Sequence, residues 1–205
     1  MNTDAALDNL LLTRAGALEA VVVGASAGGV QALLQIFAGL GADYRLPIIA
    51  VLHLPDDRRS QLADVFQQRL GIRVKEADDK ESLHGGTLYF AASGYHLLIE
   101  NDRSFSLSRE EPLHFSRPSI DVLFESAADV YGPGLMGVLL TGANEDGAQG
   151  IATIKRMGGL TVVQDPADAQ VSTMPEAALA LSPADFVLPI PGIQALLAEL
   201  NKSPC

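Results

Sequence analysis

An α/β domain, with a doubly wound, mostly parallel sheet and helices on both faces, is the architecture this sequence predicts. Val21-Val22-Val23 is a β-branched run without a polar interruption, the pattern of a strand covered on both faces. From Val21 onward, apolar runs of strand length alternate with segments of helical period, as in a parallel sheet with crossover helices. With 205 residues, 48% hydrophobic and 19% charged, the chain suits one large compact domain and leaves little room for disorder.

Residues 1–18 hold Leu10-Leu11-Leu12 among small and acidic residues and read as a leader with little chemistry. Residues 19–200 form the single domain, and 201–205 are a tail. Within the domain the pattern predicts a strand over 20–23, a helix over 29–39, a strand over 47–52, a helix over 58–70 and a short strand near 72–75. Three strand candidates follow in quick succession, Thr87–Phe90, Tyr95–Ile99 and Ser104–Leu107, joined by Ser93-Gly94 and Asn101-Asp102 turns. They stand too close together for crossover helices, so an antiparallel hairpin insert is expected near residues 87–108. Helical period resumes over 118–130, with Pro118 placed for a first helical turn, and a strand follows over 135–140. A helix over 146–157, a strand over 160–163, a helix from Pro175, a strand near 185–188 and a helix over 191–200 complete the chain.

A formal charge of −11 speaks against nucleic acid or an anionic membrane surface as partner, since both require basic patches. There is no run of 18 apolar residues, and Asp4 stands where a signal peptide would carry basic residues. A cytoplasmic protein without membrane insertion is the expectation. Cys205 is the only cysteine and the last residue, which excludes an internal disulfide.

Chemistry centres on Gly24-Ala25-Ser26-Ala27-Gly28, which meets the G-x-S-x-G pattern of a nucleophile elbow directly after the valine strand. A dinucleotide-binding turn would need a glycine where Ser26 stands, so the nucleotide reading is weakened. A plain structural turn stays open until partners for the serine are found. In an open parallel sheet, functional residues follow the carboxyl ends of strands. Of the four histidines only His53 does so, ending Ile48-Ile49-Ala50-Val51-Leu52-His53. Among the acids, Glu145 and Asp146 follow the strand at 135–140, while Asp56, Asp57 and Asp165 are weaker rivals. Asp146 also suits a helix cap before Gly147-Ala148. The ordered set Ser26, His53 and Asp146 combines a nucleophile, a base and an orienting acid. Its order differs from those of the α/β-hydrolases and the standard serine proteases.

These residues resemble the CheB-type chemotaxis receptor methylesterases, from about Glu19 to Leu200. The resemblance rests on Val23-Gly24-Ala25-Ser26-Ala27-Gly28-Gly29, His53-Leu54-Pro55, Val74-Lys75-Glu76-Ala77, the segment Arg117-Pro118-Ser119-Ile120-Asp121-Val122-Leu123-Phe124, Leu140-Thr141-Gly142 with Asp146-Gly147-Ala148, and Met174-Pro175-Glu176-Ala177. It implies hydrolysis of glutamate methyl esters on methylated chemoreceptor cytoplasmic helices, with glutamine deamidation as a further activity, and the family's triad falls on Ser26, His53 and Asp146. No cofactor and no metal is implied. The backbone amides of Ala27 and Ala143 are candidates for the oxyanion hole, and Arg117, Ser119 and Met174 for the substrate rim. The chain departs from the family pattern at Ala27, Leu52, Ala143, Asn144 and Glu145, all expected at the mouth of the site. Nothing before Ser26 has the length of the receiver domain that two-domain members carry, so a stand-alone esterase domain is expected. Two other readings stay open: a binding or regulatory module of a non-motility chemosensory array, contacting other array proteins, and a nucleotide-binding turn.

Overall fold

Strand β1 (Ala20–Ala25) has no polar side chain and all six of its residues are buried, which suits only an interior strand. The computed structural model of the chain describes residues 14–54, 61–113 and 116–201. Helix α1 (Gly29–Ile36) leads from β1 to β2 (Ile48–Leu52), and α2 (Leu62–Gln67) to β3 (Arg73–Glu76) and β4 (Thr87–Phe90). A hairpin of β5 (His96–Ile99) and β6 (Phe105–Ser108) precedes α3 (Ile120–Tyr131) and β7 (Leu135–Leu139). The remainder runs α4 (Ala148–Arg156), β8 (Leu160–Gln164), α5 (Thr173–Leu181), β9 (Phe186–Leu188) and α6 (Ile190–Leu200).

Seven strands form one sheet in the order β3-β4-β2-β1-β7-β8-β9, and every neighbouring pair is parallel. The chain leaves β1 towards β2 on one side and returns at β7 on the other, so the strand order reverses at β1. The pleat divides the valines: Val21 and Val23 pack with Leu33 and Ile36 of α1, Phe66 of α2 and Leu197 of α6. Val22 faces the opposite core, with Leu123 and Phe124 of α3, Ile151 of α4, and Leu97 and Phe105 of the hairpin. Both layers are aliphatic for the most part, and each buries one face of the sheet.

Two expectations change here. Thr87–Phe90 belongs to the main sheet, parallel to β2 and β3, and among the described strands only β5 and β6 pair antiparallel. All four β4 side chains are buried, whereas Phe105-Ser106-Leu107-Ser108 alternates apolar and polar residues as a half-covered strand does. Helix α3 begins at Ile120 with Ser119 as its N-cap, so Pro118 stands one residue before the cap and not in the first turn. Of the leader, Ala15–Ala17 forms a short 3-10 turn with Ala15 and Leu18 in the core; residues 1–13 and 202–205, the tail cysteine among them, lie outside the described residues.

Candidate active site

The parallel register brings three chain segments out of the sheet at one level. Ala25 pairs with Leu52 and Gly24 with Leu139, so Ser26, His53 and the Leu140-Thr141 segment emerge side by side. Ladder bonds extend past the strands: His53 N donates to Ala25 O at 3.0 Å, Leu140 N to Gly24 O at 2.9 Å, and Ser26 N to Thr141 O at 2.9 Å. Thus the residue at the tip of β1 is held from both flanks. Its turn closes through Gly28, whose φ of +82° is costly for an L side chain and whose missing Cβ leaves room for Gln170, with Oε1 only 2.7 Å from that point.

Thr141 stitches this turn to the neighbouring loop. Its Oγ1 lies 2.8 Å from Ala27 O and 3.2 Å from Val171 O, either of which its proton can reach, and it accepts from Val171 N at 2.9 Å. Thr141 N in turn donates to Gln164 Oε1 at 2.9 Å. The amides of Ser26 and Gly142 are consumed by Thr141 O and Val171 O, whereas among the described residues the amides of Ala27 and Ala143 donate to no backbone carbonyl.

Asp146 is fully buried, and its carboxylate faces His53, with Oδ2 3.0 Å from Nε2. The imidazole N–H is not aimed straight at the oxygen, so the contact is a close polar approach and not a linear hydrogen bond. Three further donors converge on the same carboxylate from the start of α3: Ile120 N at 2.8 Å to Oδ2, and Asp121 N at 3.0 Å and Ser119 Oγ at 2.9 Å to Oδ1. Burial pushes the Asp146 carboxyl up, but His53 and the amides of Asp121 and Ile120 outweigh it and hold the group below the usual carboxylate range. A charge this deep is tolerated because the N-terminal dipole of a twelve-residue helix and its free N–H groups point at it. With Nε2 turned to Asp146, the buried Nδ1 of His53 has no hydrogen-bond partner among the described residues, Ser26 Oγ included.

Ser26 and His53 line one cleft of about 710 Å³, with Ala27, Gly28, Leu34 and Arg69 among its other walls. A smaller cavity of about 290 Å³ adjoins it across Gly28, Gln31 and Gln170, and is lined by glutamines and Asp168. That acid already accepts from Gln164 Nε2 and Ile190 N, both at 2.9 Å.

The expected rim does not survive in this form. Ser119 and Met174 are fully buried: Ser119 serves Asp146, and Met174 packs against Gly142, its Sδ 2.7 Å from where a Cβ would stand. Arg117 Nη1 donates to Arg109 O at 3.1 Å and Glu110 O at 3.0 Å, which ties it to the segment after the hairpin and away from the Ser26 cleft. Of the departures expected at the mouth, Leu52 is in the core, Asn144 Oδ1 accepts from Asp146 N at 3.3 Å, and Ala143 and Glu145 are exposed. Among the rival acids, Asp165 Oδ1 accepts from Ala167 N at 2.9 Å within its own turn, while Asp56 and Asp57 lie outside the described residues.

Sequence reasoning passed over His96, which is buried. Its Nδ1 accepts from Ser119 N at 3.2 Å, so Nε2 carries the proton and donates to Glu111 O at 3.1 Å. It missed Asp121 and Thr141 as supports for the site as well. The signal for Asp121 is an acid two residues after a serine N-cap, where it commonly reads as a first-turn charge.

The family described as CheB methylesterase matches residues 21–197. A Leptospira interrogans relative is 44% identical over 185 residues, covering 90% of this chain and 96% of that protein. Protein-glutamate methylesterase/protein-glutamine glutaminase 2 of Anaeromyxobacter dehalogenans is 41% identical over 189 residues, and the chain spans 55% of its length. The protein-glutamate methylesterase/protein-glutamine glutaminase of Clostridium acetobutylicum is 34% identical, and the chain spans 51% of it. The crystal structure of the Thermotoga maritima CheB methylesterase catalytic domain superimposes with a TM-score of 0.84 at 32% identity, covering 89% of this chain and 98% of that one.

Proposed function

The chain belongs to the CheB methylesterase family, and on that footing we propose that it hydrolyses the methyl esters of glutamate side chains with Ser26, His53 and Asp146 as its triad. The observation that carries this reading is the 3.0 Å contact between His53 and Asp146 at the edge of a cleft that Ser26 also lines.

Ser26 Oγ attacks the ester carbonyl carbon and passes its proton to His53, whose Nδ1 is the nitrogen not turned to Asp146. Asp146 fixes the Nε2–H tautomer and stabilises the imidazolium that forms. The oxyanion is held by the amides of Ala27 and Ala143; such a donor contributes roughly 3 kcal/mol in comparable sites. The imidazolium returns the proton to the leaving methoxide, so methanol departs and an acyl-enzyme remains. Water, deprotonated by the same imidazole, then releases the glutamate carboxylate and restores Ser26. With a glutamine side chain the same steps expel ammonia, in keeping with the paired names of the relatives. The substrates are methylated chemoreceptor helices on the cytoplasmic side; no helix among the described residues is long and apolar enough to cross a membrane.

Methanol release from methylated receptor membranes tests the proposal. The wild-type protein releases methanol and Ser26→Ala releases none while keeping its melting temperature. A wild-type protein that binds the membranes without releasing methanol is instead a binding module, and the esterase reading then fails.

A further inference from the structure

Arg69 stands in the cleft of Ser26 and His53, on the turn after α2, where its amide donates to Phe66 O at 3.0 Å. Several other cations of the domain are tied down: Lys75 by Asp78 and Glu81, Lys155 by Asp185, and Arg45 by the carbonyls of Leu18 and Leu200. The Arg69 side chain is exposed, and among the described residues its guanidinium has neither an ion pair nor a hydrogen bond. Among the described residues no carboxylate lines this cleft, although the chain as a whole carries a charge of −11. The rest of the cleft wall includes Val30, Leu34 and Leu54, all half-buried. An apolar strip and a guanidinium lining the same cleft as Ser26 are complementary to an amphipathic segment that carries an anion.

We propose that Arg69 is a specificity-determining residue that selects polypeptide segments bearing a carboxylate next to the esterified glutamate. The proposal rests on the esterase reading of this cleft and names the substrate class it prefers. Long-range repulsion by a net acidic protein disfavours acidic segments over most of its surface, so a local guanidinium is what admits them to the cleft. Its planar fork pairs with a carboxylate through two parallel N–H···O bonds, while the segment's apolar side chains lie on Val30 and Leu34. Because the pair forms before and after reaction alike, it lowers KM and leaves kcat alone.

Two peptides that differ only in Glu or Gln beside a glutamate methyl ester test this. Binding is measured to the Ser26→Ala protein, where turnover is absent, and kcat/KM is measured with the wild-type chain. We expect the acidic peptide to bind about fivefold more tightly at low salt, the scale of a solvent-screened ion pair, and the preference to vanish near 0.5 M NaCl. Adding Arg69→Gln removes the preference, Arg69→Glu reverses it, and Arg69→Lys retains part of it. A preference that persists in Ser26→Ala/Arg69→Gln, or none in Ser26→Ala itself, overturns the role of Arg69. Absence of methanol release from either peptide overturns the esterase reading alone, because the binding comparison still decides on Arg69.

Discussion

Asp146 caps the helix to which Asp121 belongs, and Asp121 caps the helix that follows Asp146. Asp146 precedes α4 yet accepts from the Ile120 and Asp121 amides that open α3, and Asp121, in the first turn of α3, accepts from Gly147 N at 2.9 Å and Gly150 N at 2.7 Å at the start of α4. Both carboxylates are buried. Charge-assisted bonds from two helix N-termini compensate their desolvation and leave the carboxylate facing His53 in one orientation. Gly147, with φ +98°, supplies the bend between them; a Cβ there would stand 2.5 Å from Leu139 Cδ1.

Asp121→Ala is therefore expected to destabilise the fold by about 2 kcal/mol, the cost of a lost cap with buried amides left unpaired. Urea denaturation reads the loss. The same variant lowers kcat more than it raises KM, because Gly147 and Asp146 shift together relative to His53. A variant as stable as wild type would contradict the exchanged caps.

Asp146→Asn keeps the shape of the side chain and removes its charge. Esterase kcat is expected to fall by about four orders of magnitude, as when the orienting acid of other serine hydrolases is neutralised. Steady-state methanol release checks this, and a variant within tenfold of wild type would remove Asp146 from the triad.

Stability should follow the titration of Asp146. Its folded-state carboxyl is held below the ordinary range, so the unfolded chain takes up the proton first as pH falls. The contribution is full above about pH 4 and is lost as pH drops through the folded value. The difference in unfolding free energy between wild type and Asp146→Asn is expected to shrink as pH falls below about 4. Denaturant titrations across that range test it, and a gap that widens on acidification would reverse the sign.

Thr141→Val removes the hydroxyl that bridges Ala27 O and Val171 N and leaves a partly buried amide unsatisfied. The expected cost is about 1–3 kcal/mol, with a fall in kcat as the Ser26 turn loosens. Thr141→Ser restores both, which separates the hydroxyl from the methyl group. Thermal melts and turnover numbers measured on the three proteins decide the matter.

Much of this site is written in local pattern. A strand of valines, the small residues around Ser26, and the rule that function follows the carboxyl ends of strands point to Ser26, His53 and Asp146, because each rests on neighbours in the chain; the structure sets His53 against Asp146 and puts Ser26 and His53 on one cleft wall. Partner choice is different. That β4 joins the main sheet, that Asp146 holds α3 and not the helix that follows it, and that Ser119 and Met174 lie beneath the surface all depend on contacts between distant segments. Helical and strand periodicity report which side of an element is apolar, and they carry no record of what will cover it. Hydrogen-bond donors are identical along every backbone, so only the packed sheet, by setting three strand ends level and two helix N-termini face to face, determines which N–H groups meet which carboxylate.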